Sequence, residues 1–177
     1  TKESVSTGTA VITVNKAGNN SIVVVQGANA QFTPEDIEAH RDLLEECEIV
    51  ILQLEIPMDT VLYAVKLART LGKTVILDPA PVPEHFPKEL YQYVDIIKPN
   101  ESELSRLTGI ADAQNHLEEA VQIVKDHGVR NVLVTLGGDG VYLDTENEAP
   151  VHIPAKKVEV VDTTAAGDSF TSALAAM

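Results

Sequence analysis

Cysteine occurs once in the 177 residues, at Cys47, so the chain can close no internal disulfide and build no cysteine-based zinc site. A reducing, cytoplasmic compartment is the simplest setting for it. The five histidines, His40, His85, His116, His127 and His152, show no metal-ligand spacing. Positive charge is scarce: 13 Lys and Arg stand against 27 Asp and Glu, for a formal net charge of −14. A nucleic-acid backbone would be repelled, and no basic cluster offsets this. Small anions are not excluded, because backbone N–H groups and a metal can hold a nucleotide inside an acidic protein. No apolar stretch approaches the roughly 20 residues needed to span a bilayer, and the polar start TKESVSTG is no signal peptide. No Gly-x-x-x-x-Gly-Lys-Ser/Thr loop occurs, so a Walker-type site is unsupported. A nicotinamide-binding Gly-x-Gly-x-x-Gly after an early strand is missing too.

What is present suits a single globular domain over 1–177, since 44% of the residues are hydrophobic. The start at Thr1 and the apolar helical run SFTSALAAM, which reaches Met177 without a stop signal, suggest a piece of a longer protein. Thr7–Val14 and Ser21–Gln26 are β-rich and joined by NKAGNN, whose Gly and Asn suit a hairpin turn. Thr33–Pro34 opens a helix, with Glu35 and Asp36 near its positive end. Ile49–Leu54 reads as a strand, and Pro57–Leu71 as an amphipathic helix capped by Gly72.

The alternation continues. Thr74–Leu77 is a strand, Pro87–Tyr93 a short helix and Asp95–Lys98 a strand. Helices follow at Glu101–Thr108, stopped by Gly109, and at Asn115–His127, stopped by Gly128. Val132–Leu136, Val141–Asp144 and Val151–Ile153 complete the strands, and Asp162–Asp168 joins a further strand, Lys157–Val161, to a final helix. Apolar strands alternating with amphipathic helices predict an α/β fold, a mainly parallel sheet covered on both faces. The leading hairpin lies outside that alternation and is expected to project as an appendage or lid.

In open α/β sheets, ligands sit at the carboxyl ends of strands. Gln53–Glu55, Lys98–Glu103, Thr135–Gly140 and Asp162–Asp168 place polar or glycine-rich residues at such ends. The last is the most informative. Small residues at Ala165, Ala166 and Gly167 let a ligand approach the first free N–H groups of a helix, where the macrodipole favours an anion. Asp168 then sets a carboxylate beside that anion nest, or serves only as an N-terminal helix charge. Asn100 can equally cap a helix whose first turn holds Glu101 and Glu103. Gly137-Gly138-Asp139-Gly140 alone suits a hairpin turn, and Glu55 alone suits a solvated strand end.

Asp-Thr-Thr-Ala-Ala-Gly-Asp-Ser-Phe at 162–170 resembles the C-terminal signature of the ribokinase-like (PfkB) carbohydrate kinases. TGTAVITVN, QGAN, QLE, KPNESE and TLGGDG follow in that family's order and approximate spacing, so the resemblance covers essentially the whole chain. It implies a three-layer fold with a projecting β lid at 7–26, and ATP-dependent transfer to a sugar hydroxyl, foremost D-ribose to D-ribose 5-phosphate. Asp168 would be the general base and 165–167 the anion hole. Glu55 would contact the sugar together with Asp168. Asn100, Thr135, Gly137, Gly138, Asp139, Gly140 and Gly167 would bind the nucleotide. Glu103 would hold Mg²⁺ through water, and Asp162 and Thr164 a monovalent cation, K⁺. Many family members have Gly where this chain has Ala165; ribokinases commonly have Ala. The resemblance also implies a homodimer paired through the lid. It leaves open other sugar or nucleoside kinases, such as those for fructose or 2-keto-3-deoxygluconate, and a non-catalytic binding fragment. The family's N-terminal sugar-binding motifs and the segment after the last helix have no counterpart in this chain.

Overall fold

A computed structural model describes residues 4–14, 20–160 and 163–176. Two strands, β1 (Thr9–Val14) and β2 (Asn20–Val25), pair antiparallel with Thr9 opposite Val25. Of the turn expected over 15–20, residues 15–19 lie outside the described residues, and Asn20 opens β2. The hairpin makes a sheet of its own. Successive strand residues point to opposite faces, and neighbours such as Val11 and Ile12 or Val23 and Val24 are all exposed, so neither face is covered.

The chain then enters the α/β body. Thr33 caps α1 (Pro34–Glu38) by a reciprocal capping box: its hydroxyl accepts from the Asp36 N–H, and the Asp36 carboxylate accepts from the Thr33 N–H at 2.9 Å. A second short helix, α2 (Arg41–Glu46), leads into β3 (Ile49–Leu52). This strand stops two residues before the apolar run does. Leu54 turns away, donating its N–H to the Ala80 carbonyl at 3.0 Å. Helix α3 (Met58–Thr70) presents two faces: Val61, Val65 and Ala68 join the main core, while Ala64 and Leu67 pack with Ile37 of α1. Strand β4 (Thr74–Leu77) is followed by a 3-10 segment at Lys88–Tyr93 and the two-residue β5 (Ile96–Ile97).

Helix α4 (Glu101–Thr108) ends at Gly109 in the left-handed conformation, as its position after the last periodic residue predicts. The helix expected over Asn115–His127 is split: Ala113–His116 forms a 3-10 turn, and only Leu117–Lys125 is α-helical, as α5. Then come β6 (Asn131–Thr135), β7 (Val141–Asp144), β8 (Val151–Ile153) and α6 (Ala166–Ala175). The strand expected at Lys157–Val161 does not form over its described part, 157–160.

The six strands β3 to β8 lie in sequence order in one sheet. The pairs from β3 to β6 are parallel and those from β6 to β8 antiparallel, giving a mixed, mostly parallel sheet flanked by helices. The switch follows from connection length, because a parallel return needs a crossover of a dozen or more residues and 136–140 is only a tight turn. In the middle strands both faces are covered. Val75 and Leu77 of β4 and Val132 and Val134 of β6 point into the main core; Ile76 and Leu133, on the opposite face, are buried too. Cover fails at the edges, where Ile51 of β3 and Val151 and Ile153 of β8 are exposed.

Tyr91 fills the core below the 3-10 segment, its ring centroid 4.9 Å from that of Phe86 and 5.2 Å from that of His127. Burial pushes its hydroxyl up to about 12. The folded state therefore holds this proton more tightly than the unfolded chain, where tyrosine ionises near pH ~10. Stability from Tyr91 is intact below that value and lost as pH rises towards 12. The denaturation midpoint should fall across this window, and Tyr91→Phe should flatten the fall. An unchanged slope in the variant would assign the alkaline loss to other groups.

Candidate active site

The carboxyl ends of β3, β4, β5 and β6 open onto one cleft of about 810 Å³. Gln53 and Glu55 enter it after β3, Asp78 and Ala80 after β4, Lys98 and Asn100 after β5, and Thr135 at the end of β6. Gly137, Gly140 and the 153–155 segment form one wall; Ala166, Gly167, Asp168 and Phe170 of α6 form another. Segments distant in sequence meet here because a sheet with both faces covered leaves only its ends for polar groups.

Helix α6 begins abruptly. Ala165, its N-cap, takes a left-handed conformation with φ of 58° and offers no side chain as a cap. The Ala166 N–H donates to the Thr163 carbonyl at 3.2 Å, so of the expected trio of anion donors this one is engaged within the turn. The N–H groups of Gly167 and Asp168 belong to the first turn, which has no intrahelical acceptors. The Asp168 carboxylate accepts from the Gln53 Nε2 at 3.2 Å, a link between chain segments 115 residues apart. Thr171, one turn on, places its hydroxyl 2.9 Å from the Gly167 carbonyl and 3.3 Å from Asp78 Oδ2.

Asn100 and Glu103 satisfy both readings their spacing allows. Asn100 Oδ1 accepts from the Glu103 N–H at 2.9 Å, and Glu103 Oε2 accepts from the Asn100 N–H at 2.8 Å, a complete capping box for α4. Both also line the cleft. Burial pushes the Glu103 carboxyl above the usual range and the nearby Asp78 adds to this; the Asn100 N–H and Lys98 oppose it. The 137–140 segment is likewise a hairpin turn between β6 and β7 and a wall of the cleft.

The other predicted residues are dispersed. Gly138 is exposed and does not line the cleft; Asp139 faces a second hollow beside Tyr142 and His152, its carbonyl 2.8 Å from His152 Nε2. Ala165 and Thr164 stand in the turn before α6, outside the lining residues. Asp162 lies outside the described residues. Among the described residues no three His, Cys, Asp or Glu side chains cluster to hold a metal. The cleft does offer the Glu103 carboxylate, which suits Mg²⁺, an ion that keeps several waters and takes one or two carboxylates.

The pair missed by reading motifs is Asp78 and Lys98. Lys98 Nζ lies 2.9 Å from Asp78 Oδ2, with both side chains almost wholly removed from solvent. Each follows an apolar strand, which marks a strand end, but nothing in their 20-residue separation announces that they touch.

Comparison with known proteins places this geometry. The family model described as "pfkB family carbohydrate kinase" matches residues 1–177. The chain belongs to the pfkB family of carbohydrate kinases. It is 45% identical over 171 residues to a bifunctional ribokinase/ribose-5-phosphate isomerase A of Fructilactobacillus sanfranciscensis, covering 96% of this chain and 31% of that one. It is 41% identical over 168 residues to the ribokinase of Staphylococcus aureus, covering 94% and 55%. Among solved structures, Arabidopsis thaliana ribokinase complexed with ribose and ATP superposes with a TM-score of 0.84 at 37% identity, covering 95% of this chain and 55% of that one. The chain thus spans about half the length of the Staphylococcus and Arabidopsis ribokinases and about a third of the bifunctional protein, and shares the ribokinase fold over that span.

Two substitutions, one in the cleft wall and one in the turn before α6, test the backbone around the pfkB cleft. At Gly140, φ is 100°, and a Cβ would stand 2.0 Å from the Ile153 carbonyl oxygen. Gly140→Ala must push the 153–155 wall outward and should lower stability by more than about 1 kcal/mol, read from the denaturation midpoint. Ala165→Gly should act oppositely. Relief of left-handed strain is worth about 1–2 kcal/mol, against about 0.4–1 kcal/mol of added unfolded-state freedom. A small net gain is expected, and a loss would show that the turn is held unstrained.

Proposed function

We propose that the protein to which this chain belongs transfers the γ-phosphoryl group of ATP to a sugar hydroxyl, converting D-ribose to D-ribose 5-phosphate. The observation that carries the reading is the Asp168 carboxylate, set at the start of α6 inside the cleft and bonded to Gln53. The bond that forms joins the sugar oxygen to the γ-phosphorus. The bond that breaks is the β–γ bridge, and ADP leaves with that electron pair. Asp168 takes the hydroxyl proton. A loose phosphoryl-transfer transition state asks little of this base, because little proton transfer precedes cleavage of the leaving bond.

The backbone of 165–167 acts as the anion hole for the transferring group, although the Ala166 N–H is engaged by the Thr163 carbonyl. Glu55 shares the end of β3 with Gln53 and binds the sugar from that side. Asn100, Thr135, Gly137, Gly138, Asp139 and Gly140 serve the nucleotide, and Asn100, Thr135, Gly137 and Gly140 line the cleft directly. Mg²⁺ would be held through water by Glu103 and would neutralise phosphate charge. Thr164 with Asp162 would hold K⁺ near the turn. The ribokinase of Arabidopsis solved with ribose and ATP supports both substrates. The β1–β2 hairpin covers the sugar as a lid and pairs with a second copy, since a lone two-stranded hairpin is marginally stable and this one leaves both apolar faces open. A cytoplasmic location accords with these substrates.

The test is ADP formation from ATP, Mg²⁺ and D-ribose, with and without K⁺, by this chain together with the flanking sequence its gene encodes. Ribose-dependent turnover that rises with K⁺ is expected. Asp168→Asn should lower kcat by about 10²–10⁴-fold while ATP binding persists. Absence of ribose-dependent turnover, or an active Asp168→Asn, would overturn the reading.

A further inference from the structure

A second hollow, of about 720 Å³, lies between the β6–β7 turn and the start of α5. No residue lines both it and the cleft. The two back onto one turn, with Gly137 and Gly140 facing the cleft and Leu136 and Asp139 the hollow. Its volume is that of a small-molecule site. Tyr142 of β7 lines it and is 8% exposed. The Tyr142 hydroxyl is closed off from solvent, and it alone among the buried side-chain polar atoms of the described residues has no hydrogen-bond partner. A buried hydroxyl left unbonded is costly, and native structures seldom keep one without a cause. Elsewhere the fold avoids that cost: the buried Thr60 hydroxyl, for one, donates to the Phe32 carbonyl at 2.7 Å.

Charge narrows what could complete this tyrosine. Glu118, Glu119 and Asp139 line the hollow, and no lysine or arginine among the described residues does. His116 and His152, even when protonated, would not outnumber these carboxylates, and the start of α5 adds only about half a positive charge. Burial pushes the Tyr142 hydroxyl up, and the Asp144 and Glu118 carboxylates add to this. The hydroxyl therefore stays protonated in a negative potential, which favours a cation and repels a phosphate or carboxylate. No three carboxylates or imidazoles of the described residues converge to hold a bare metal ion. Leu117, Leu136 and the Tyr142 ring supply apolar surface for a hydrocarbon body.

We propose that this hollow binds a small organic cation, a primary ammonium on an apolar body, which donates to the Tyr142 hydroxyl oxygen and is balanced in charge by Glu118. Reaching the hydroxyl takes rotation of side chains at the rim, where Glu118 is exposed, and exposed side chains change rotamer within nanoseconds. Neither Tyr142 nor Glu118 has a part in the proposed phosphoryl transfer, so the inference does not rest on the kinase reading.

The test is titration of the full gene product with n-butylammonium, followed by NMR through the ring signals of isotope-labelled tyrosine and histidine. Saturable shifts at Tyr142, His116 and His152 are expected. n-Butanol and butyrate, which keep the hydrocarbon but lack the ammonium, should bind at least about tenfold more weakly, the worth of one hydrogen bond to a charged group. Tyr142→Phe removes an unpartnered hydroxyl, so without the probe it should melt at or above the wild-type temperature. Its affinity for the probe, read from the histidine signals, should fall by at least about tenfold. Glu118→Gln should weaken binding several-fold, and it carries the test alone if Tyr142→Phe does not fold. Wild-type affinity in whichever variants fold, n-butanol binding as tightly as the cation, or no saturable shift in the wild type would each overturn the proposal.

Discussion

Burial of the middle strands on both faces is the constraint from which the rest of this structure follows. Val75, Ile76 and Leu77 in β4, and Val132, Leu133 and Val134 in β6, are all inside, whichever way each side chain points. A charged residue within these strands would lose its water with no partner. Polar chemistry is therefore displaced to the first residue beyond the apolar run: Asp78 after Leu77, Lys98 after Ile97, Thr135 after Val134. Parallel pairing from β3 to β6 sends those residues to the same edge, and the cleft is the result.

Local electrostatics and net charge then separate. The cleft is lined by Glu55, Asp78, Glu101, Glu103 and Asp168 as well as by Lys98, and within it the start of α6 and the Lys98 ammonium face the same space. Potential inside a concave, low-dielectric site is set by the nearest fixed charges and dipoles. The Thr171–Asp78–Lys98 chain of contacts joins the two positive elements into one rigid unit spanning helix and sheet.

Structural and chemical roles fall on the same residues. Asn100 and Glu103 complete a capping box and line the cleft, and 137–140 both reverses the chain and walls it. The coincidence has a physical cause. A strand-to-helix junction must satisfy free N–H groups with polar side chains, and such junctions lie at the sheet edge where ligands bind. Capping and binding at these positions are therefore compatible.

Much of this was legible in one dimension. Strand cores, the stops at Gly72 and Gly109, and the candidate segments Gln53–Glu55, Lys98–Glu103 and Thr135–Gly140 could be read from periodicity and turn chemistry, because both are local. The helix expected over Asn115–His127 is shorter in the fold, since period alone does not separate a 3-10 turn from the first turn of an α-helix. Antiparallel pairing of β6, β7 and β8 needed the short connection to be weighed against the alternating pattern. The contact of Gln53 with Asp168, the meeting of Asp78 with Lys98 and the separation of Asp139 from the cleft were decided only by tertiary structure. Sequence determines where a polar group may stand along its own strand. Which other polar group it meets depends on strand order and on helix placement, and these are settled by packing of the whole core.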